Sequence, residues 1–201
     1  INGQTWTVQT IQPGGAKFFA TGSKKESNFH VVDSEHRGLA ALDAVTAIVI
    51  AEGYATADTL SQALSCPVVA AFDSGNLLKV AQVLQKKYPQ KPIVIAGDDD
   101  LTQESINGKN PGKEKAMEAA QLVNGAVVLP IFAPGEQMSQ QLSDFNDLAN
   151  KSVLGIEAVK RQVGSVVEKV SQQAKQDSLL KLQAPIEPKQ QEIKQKRALI
   201  R

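Results

Sequence analysis

Pro92-Ile93-Val94-Ile95-Ala96-Gly97-Asp98-Asp99-Asp100 reads as a buried strand that runs straight into three carboxylates. Like charges side by side repel one another at neutral pH, so the run is stable only where a cation, a basic ligand or water compensates it. Hard divalent ions bound through oxygen are the natural compensators. Residues two apart in an extended segment point the same way, so Asp98 and Asp100 can converge on one ion. Asp99 alternates with them and is counted as a further ligand candidate.

Working outward, the same arrangement occurs once before: Ala47-Ile48-Val49-Ile50-Ala51 is followed at once by Glu52-Gly53 and a helix-like stretch from Ala55 to Leu64. Apolar and amphipathic runs then alternate through Pro67–Phe72, Asn76–Lys87, Pro92–Gly97, Gly112–Val123 and Ala126–Pro130. This is a βαβαβαβ pattern, and its strands are apolar almost throughout, as strands covered on both faces must be. The expected fold is α/β, a parallel sheet between helices. Ligands of such sheets bind outside the carboxyl ends of the strands, so Glu52 and the aspartates share a rim if their strands are neighbours.

The flanks differ in character. Residues 1–40 alternate weakly, turn at Pro13-Gly14-Gly15 and read as a small β-hairpin module. Residues 41–152 hold the repeating unit, and 153–201 read as a helix beginning near Leu154 followed by a basic linker around Ala184-Pro185-Ile186-Glu187-Pro188. Charge follows the same division. The net charge of +1 conceals ten Lys/Arg against four Asp/Glu in 158–201, and twelve against seventeen in 1–157.

Composition excludes several classes. The single cysteine, Cys66, cannot form an intramolecular disulfide, and no Cys/His cluster has zinc spacing. No run of about 18 apolar residues suggests a membrane span, and no leader pattern opens the chain. The expectation is a cytoplasmic protein without membrane contact, and a piece of something longer.

Each candidate has a plainer reading beside its functional one. Glu52 suits a helix N-terminus electrostatically, and Gly53 permits either a tight turn or close approach by phosphate. Lys109 and Lys113 flank a Gly-rich helix start that suits phosphate, but an ordinary surface loop reads equally well. Asp144 and Asp147 fit a capped helix turn, and Asp73 fits the cap of the helix after it. Lys17, Lys24 and Lys25, interleaved with Trp6, Phe18 and Phe19, suit either a nucleic-acid backbone with stacked bases or a solvated hairpin face.

The segments Ile48–Ala57, Val69–Leu77 and Ile95–Asp100, with Asn110-Pro111-Gly112-Lys113 and Asp144-Phe145-Asn146-Asp147-Leu148, together resemble the Toprim domain of conjugative-plasmid and phage primases. The likeness extends over roughly residues 5–150. It implies a DNA primase that polymerises ribonucleotides on single-stranded DNA, with Glu52, Asp98 and Asp100 as the catalytic acids. They would hold Mg²⁺ or Mn²⁺, with Asp144 and Asp147 as an auxiliary acidic motif. Single-stranded template, nucleoside triphosphates and other domains of a parent chain are the implied partners. Zinc-ribbon cysteines, which complete replicative primases carry ahead of this domain, are absent from the sequence. Two other functions share the acids or the fold: a Toprim nuclease or topoisomerase module, and a non-catalytic nucleic-acid-binding module of a relaxase or helicase.

Overall fold

The computed structural model describes residues 6–13 and 16–183, and its strands are β1 (Gln9–Ile11), β2 (Lys17–Phe19), β3 (His30–Val32), β4 (Ile48–Ala51), β5 (Val68–Ala70), β6 (Ile93–Ala96) and β7 (Ala126–Val128). The two Ile-Val-Ile-Ala segments, β4 and β6, lie side by side in parallel, with Ile48 opposite Ile93 and Ala51 opposite Ala96. The five-stranded sheet has the order β3-β5-β4-β6-β7, and only the edge strand β3 is antiparallel. The fold is α/β, as the alternation of runs predicts.

Alternation along β4 and β6 builds two cores. Ile48, Ile50, Ile93 and Ile95 face α2 (Ser74–Lys87) and α4 (Pro111–Leu122). Val49, Ala51, Val94 and Ala96 face α1 (Tyr54–Leu64), α6 (Phe145–Asn150) and α7 (Gly155–Gln183). Burying each isoleucine or valine contributes about 1.5–3 kcal/mol, so both faces are strongly specified. The chain leaves β4 toward β5 on one side and reaches β6 on the other. Their order therefore reverses at β4, which is where an open α/β sheet forms its crevice.

Local sequence sets the helix starts. Asp73 accepts from the Asn76 backbone N–H at 3.1 Å and caps α2. Asn110 caps α4 by accepting from Lys113 N–H at 3.2 Å, with Pro111 at the first helical position. Two further helices, α3 (Leu101–Asn107) and α5 (Glu136–Gln140), lie outside the alternating runs of the sequence. Neither buries a residue, so neither carries the apolar periodicity that reveals a helix in sequence.

The boundaries drawn from sequence at residues 40 and 153 do not coincide with packing. β3 lies within residues 1–40, yet it is a strand of the main sheet, with His30 opposite Ala70. Only β1 and β2 form a separate antiparallel pair, with Thr10 opposite Phe18. Helix α7 is likewise part of the body, burying Ala158, Val159 and Val163 against the sheet face that holds α1. The tip of the expected turn at Gly14-Gly15 and the expected linker over 184–201 lie outside the described residues. Among the described residues no helix is long and apolar enough to cross a membrane.

Candidate active site

The register that pairs Ala51 with Ala96 sets Glu52 level with Gly97, so the first acid after β4 stands beside the acids after β6. Asp98 carries the strongest perturbation. Burial, then the charges of Glu52, Asp144 and Asp100, push its carboxyl up to about 8. Its Oδ1 is sealed from solvent without a hydrogen-bond partner. Glu52 is raised by burial and then by Asp100. Asp144 is raised chiefly by burial, although it accepts from Asp147 N–H at 2.7 Å and from Thr56 Oγ1 at 3.1 Å. Four half-buried carboxylates therefore meet around Asp98, where screening by water is reduced.

Among the described residues Lys17 opposes this charge at Glu52 and Asp98, and Lys151 feels that of Asp144. The Lys17 ammonium lies over Gly53, 3.3 Å from where a β-carbon would stand, and it pulls Glu52 and Asp98 back down. Lys17 is delivered by β2. That hairpin is fastened to the sheet by the edge contact of Phe19 with Phe72, 6.0 Å between ring centres, and by the Lys25 to Asp73 ion pair at 2.6 Å. Asn76, buried under the following loop, donates from Nδ2 to the carbonyls of Asn28 and Ala71 at 2.8 and 2.9 Å. The hairpin is thus held over the rim.

The three aspartates after β6 have different tasks. Asp100 Oδ2 accepts from the Gly112 N–H at 3.0 Å, and the Asp100 N–H donates to Asn110 Oδ1 at 2.9 Å. Asp99 is turned away and committed elsewhere: Asn110 Nδ2 donates to its Oδ1 at 2.7 Å and Gln137 Nε2 to its Oδ2 at 3.0 Å. Its expected ligand role does not fit this geometry. Asp99 instead ties α5 to the loop that carries Asp98 and Asp100.

Other expected residues divide in the same way. Asp144 joins the acids, whereas Asp147 turns back to accept from Ser143 N–H at 3.0 Å and to pair with Lys151 at 2.7 Å. Lys109 and Lys113 stand on either side of the α4 cap, with Lys109 exposed. Lys24 lies over the Trp6 ring at 5.6 Å, while Lys25 spends its charge on Asp73 and the Phe19 face.

Asn110 is the organising residue that a charge-based reading passes over. It is 3% exposed, accepts from Asp100 and Lys113, and donates to Asp99 and Glu104. The available sign was its place before Pro111, where Asn and Pro together mark a helix start.

A divalent ion suits this donor set. The groups are hard oxygens, they repel one another, and Asp98 Oδ1 is a buried acceptor without a partner. Among the described residues no three acidic, histidine or cysteine side chains are already closed into a metal cage.

Two proteins of Escherichia coli, each named DNA primase TraC, are 40% identical to the chain. One alignment covers 87% of the chain and 16% of that protein, the other 98% and 24%, so the chain spans a quarter or less of these relatives. No solved structure matches the chain. The family model for the Toprim domain matches residues 47–153, more than half of the chain, a range that takes in β4, β6 and all four clustered acids. On that match, and with acids at the ends of two adjacent parallel strands, the chain belongs to the Toprim domain family.

Proposed function

We propose that this chain is the primer-synthesising domain of a conjugative-plasmid type primase, joining ribonucleotides on a single-stranded DNA template. The observation that carries the reading is the meeting of Glu52, Asp98, Asp100 and Asp144 on one rim, with Asp98 Oδ1 left without a partner. The similarity to proteins named DNA primase supports it.

Glu52, Asp98 and Asp100 would hold Mg²⁺ or Mn²⁺, with Asp144 behind them. When bound, the ion supplies positive charge to the triphosphate and to the attacking hydroxyl. In the reaction a ribose 3′-hydroxyl oxygen bonds to the α-phosphorus of the incoming triphosphate, the bond to the β-phosphate oxygen breaks, and pyrophosphate leaves. Glu52, whose carboxyl burial and Asp100 make more basic than usual, is suited to receive the hydroxyl proton. Lys17, over Gly53, can offset the charge of an entering triphosphate; the first N–H groups of α4 are already given to Asp100 and Asn110, so Lys109 and Lys113 would meet its outer phosphates through their ammonium groups alone. Lys24 and Lys25, in the loop after β2, would meet a template backbone, Lys25 only by giving up its pair with Asp73.

The template, the nucleoside triphosphates, further domains of a parent chain and a cytoplasmic setting belong to this same reading. The nuclease or topoisomerase reading has less support. The relatives 40% identical to the chain are named DNA primase, and neither is named a nuclease or a topoisomerase.

The test is primer synthesis by the parent protein on a single-stranded template with ribonucleotides and Mg²⁺. Glu52→Gln and Asp98→Ala should each lower product at least a hundredfold while DNA binding persists. Full product from Asp98→Ala would refute the metal reading.

A further inference from the structure

The rim continues past the acids to the edge of the sheet. Across the strands, His30, Ala70, Ala51, Ala96 and Val128 are successive pairing partners, so His30 stands on the same rim as Glu52, two strands away. Two strand spacings are about 10 Å. Beside His30 lies Tyr54, the first residue of α1, with 5.8 Å between ring centres and 40° between planes. Tyr54 is an aromatic residue on a rigid mount: Gly53 caps its helix and accepts from Ala57 N–H at 3.0 Å. Yet 38% of Tyr54 is exposed.

The two rings form one end of a cavity of about 470 Å³ that runs down between β3 and α1. Its lining includes Asp33, Glu35 and Asp58 against the single arginine Arg37, which is itself paired with Asp33 and Glu35. A phosphate would be repelled there. An uncharged, flat and polar-edged group would not be, and the cavity offers Ser61 and Gln62 for its edge. Partial burial, with the charge of His36, holds the His30 imidazole toward its neutral form, in which it can stack, donate and accept.

We infer that the Tyr54 and His30 rings are a stacking platform for a nucleobase beside the acidic rim, with phosphates directed toward the acids and the base toward the cavity. This deepens the primase reading and rests on it. An aromatic face accepts any base, and one such contact strengthens binding by roughly tenfold or more. The base belongs either to the template strand or to an incoming nucleotide.

The experiment uses two fluorescent probes, a single-stranded oligodeoxynucleotide with one 2-aminopurine and the 2-aminopurine ribonucleoside triphosphate, each titrated with the full chain with and without Mg²⁺. Binding should quench the stacked base. Tyr54→Ala should weaken the quenching and lower affinity for one probe on the order of tenfold. Tyr54→Phe, which keeps the ring, should stay within about twofold of wild type, and thermal melts should be alike for both. The probe that loses affinity identifies the source of the base. Wild-type quenching and affinity for both probes in Tyr54→Ala overturn the platform and leave the primase reading standing. Failure of the wild-type chain to bind either probe overturns both.

Discussion

The Gly112 N–H donates to Asp100 Oδ2 at 3.0 Å, and the space a β-carbon of Gly112 would need is already filled by the Cβ and carbonyl oxygen of Asp98, both 2.9 Å away. One glycine thus holds one acid by hydrogen bond and admits the other by having no side chain. Such an approach is impossible for any other residue.

Gly112→Ala should therefore damage the site despite alanine's better helix propensity, which favours the variant by up to about 1 kcal/mol. Overpacking against backbone costs about 1–3 kcal/mol, so the clash decides the sign. The expected outcome is a melting temperature lowered by several degrees and primer synthesis reduced on the order of a hundredfold, because displacement of reacting groups by about 1 Å suffices for that loss. An unaltered melt with full activity would mean that Asp98 and Asp100 are not held by this contact.

The acids also set a pH dependence. Asp98 is pushed up to about 8 in the folded chain, far above an unfolded carboxyl. Between those values the folded state binds the extra proton, so stability falls as pH rises from about 4 through about 8. In chelator-treated protein, denaturant midpoints should drop across that window, and Asp98→Asn should flatten the drop. Added Mg²⁺ should flatten it too, because the ion replaces the proton, and its affinity should rise with pH up to about 8. A flat profile in the wild-type chain would refute the crowding of charge at Asp98.

Helix α7 supplies a stability prediction. Val163 is fully buried in the core that also contains Ala158 and Val159, and Ser171 Oγ donates to Thr46 Oγ1 at 3.0 Å. Val163→Ala should cost about 1–3 kcal/mol in chemical denaturation, and a chain cut after Ile156 should fail to fold. A chain cut after Gln183 retains every described element and should melt like the whole.

Much of this was legible in the sequence, for identifiable reasons. The runs Ile48–Ala51 and Ile93–Ala96 announce buried parallel strands because only such strands are apolar on both faces, and the acids after them mark the rim. Relationships set by tertiary contact were not legible. Asp98, Asp99 and Asp100 have identical side chains, and only Asn110, Gly112 and Gln137, from 10 to 38 residues on, decide their separate tasks. Lys17 reads as one surface lysine of a hairpin until Phe19 and Lys25 are seen to fasten that hairpin over Gly53. α7 reads as a tail because its polar face dominates and its buried residues are few.

The sources of DNA affinity differ from one lysine to the next. Lys25 is neutralised by Asp73, and Lys24 is held by Trp6, whereas Lys17 faces the acids, so the three hairpin lysines should not contribute alike. Residues 184–201 hold five Lys/Arg against two Asp/Glu and supply a separate source of attraction. Fluorescence anisotropy of a labelled single strand, measured over a range of salt, separates the contributions, since each phosphate that is no longer neutralised makes the slope of log K on log salt shallower by about 0.7. Lys24→Ala and the cut after Gln183 should each make the slope shallower. Lys25→Ala should chiefly loosen the hairpin. Lys17→Ala should lower priming more than it lowers DNA affinity, because its charge is spent beside Glu52 and Asp98. Equal effects of all three lysine variants on affinity, with priming reduced only in proportion, would show that Lys17 is an ordinary phosphate contact with no special part at the rim.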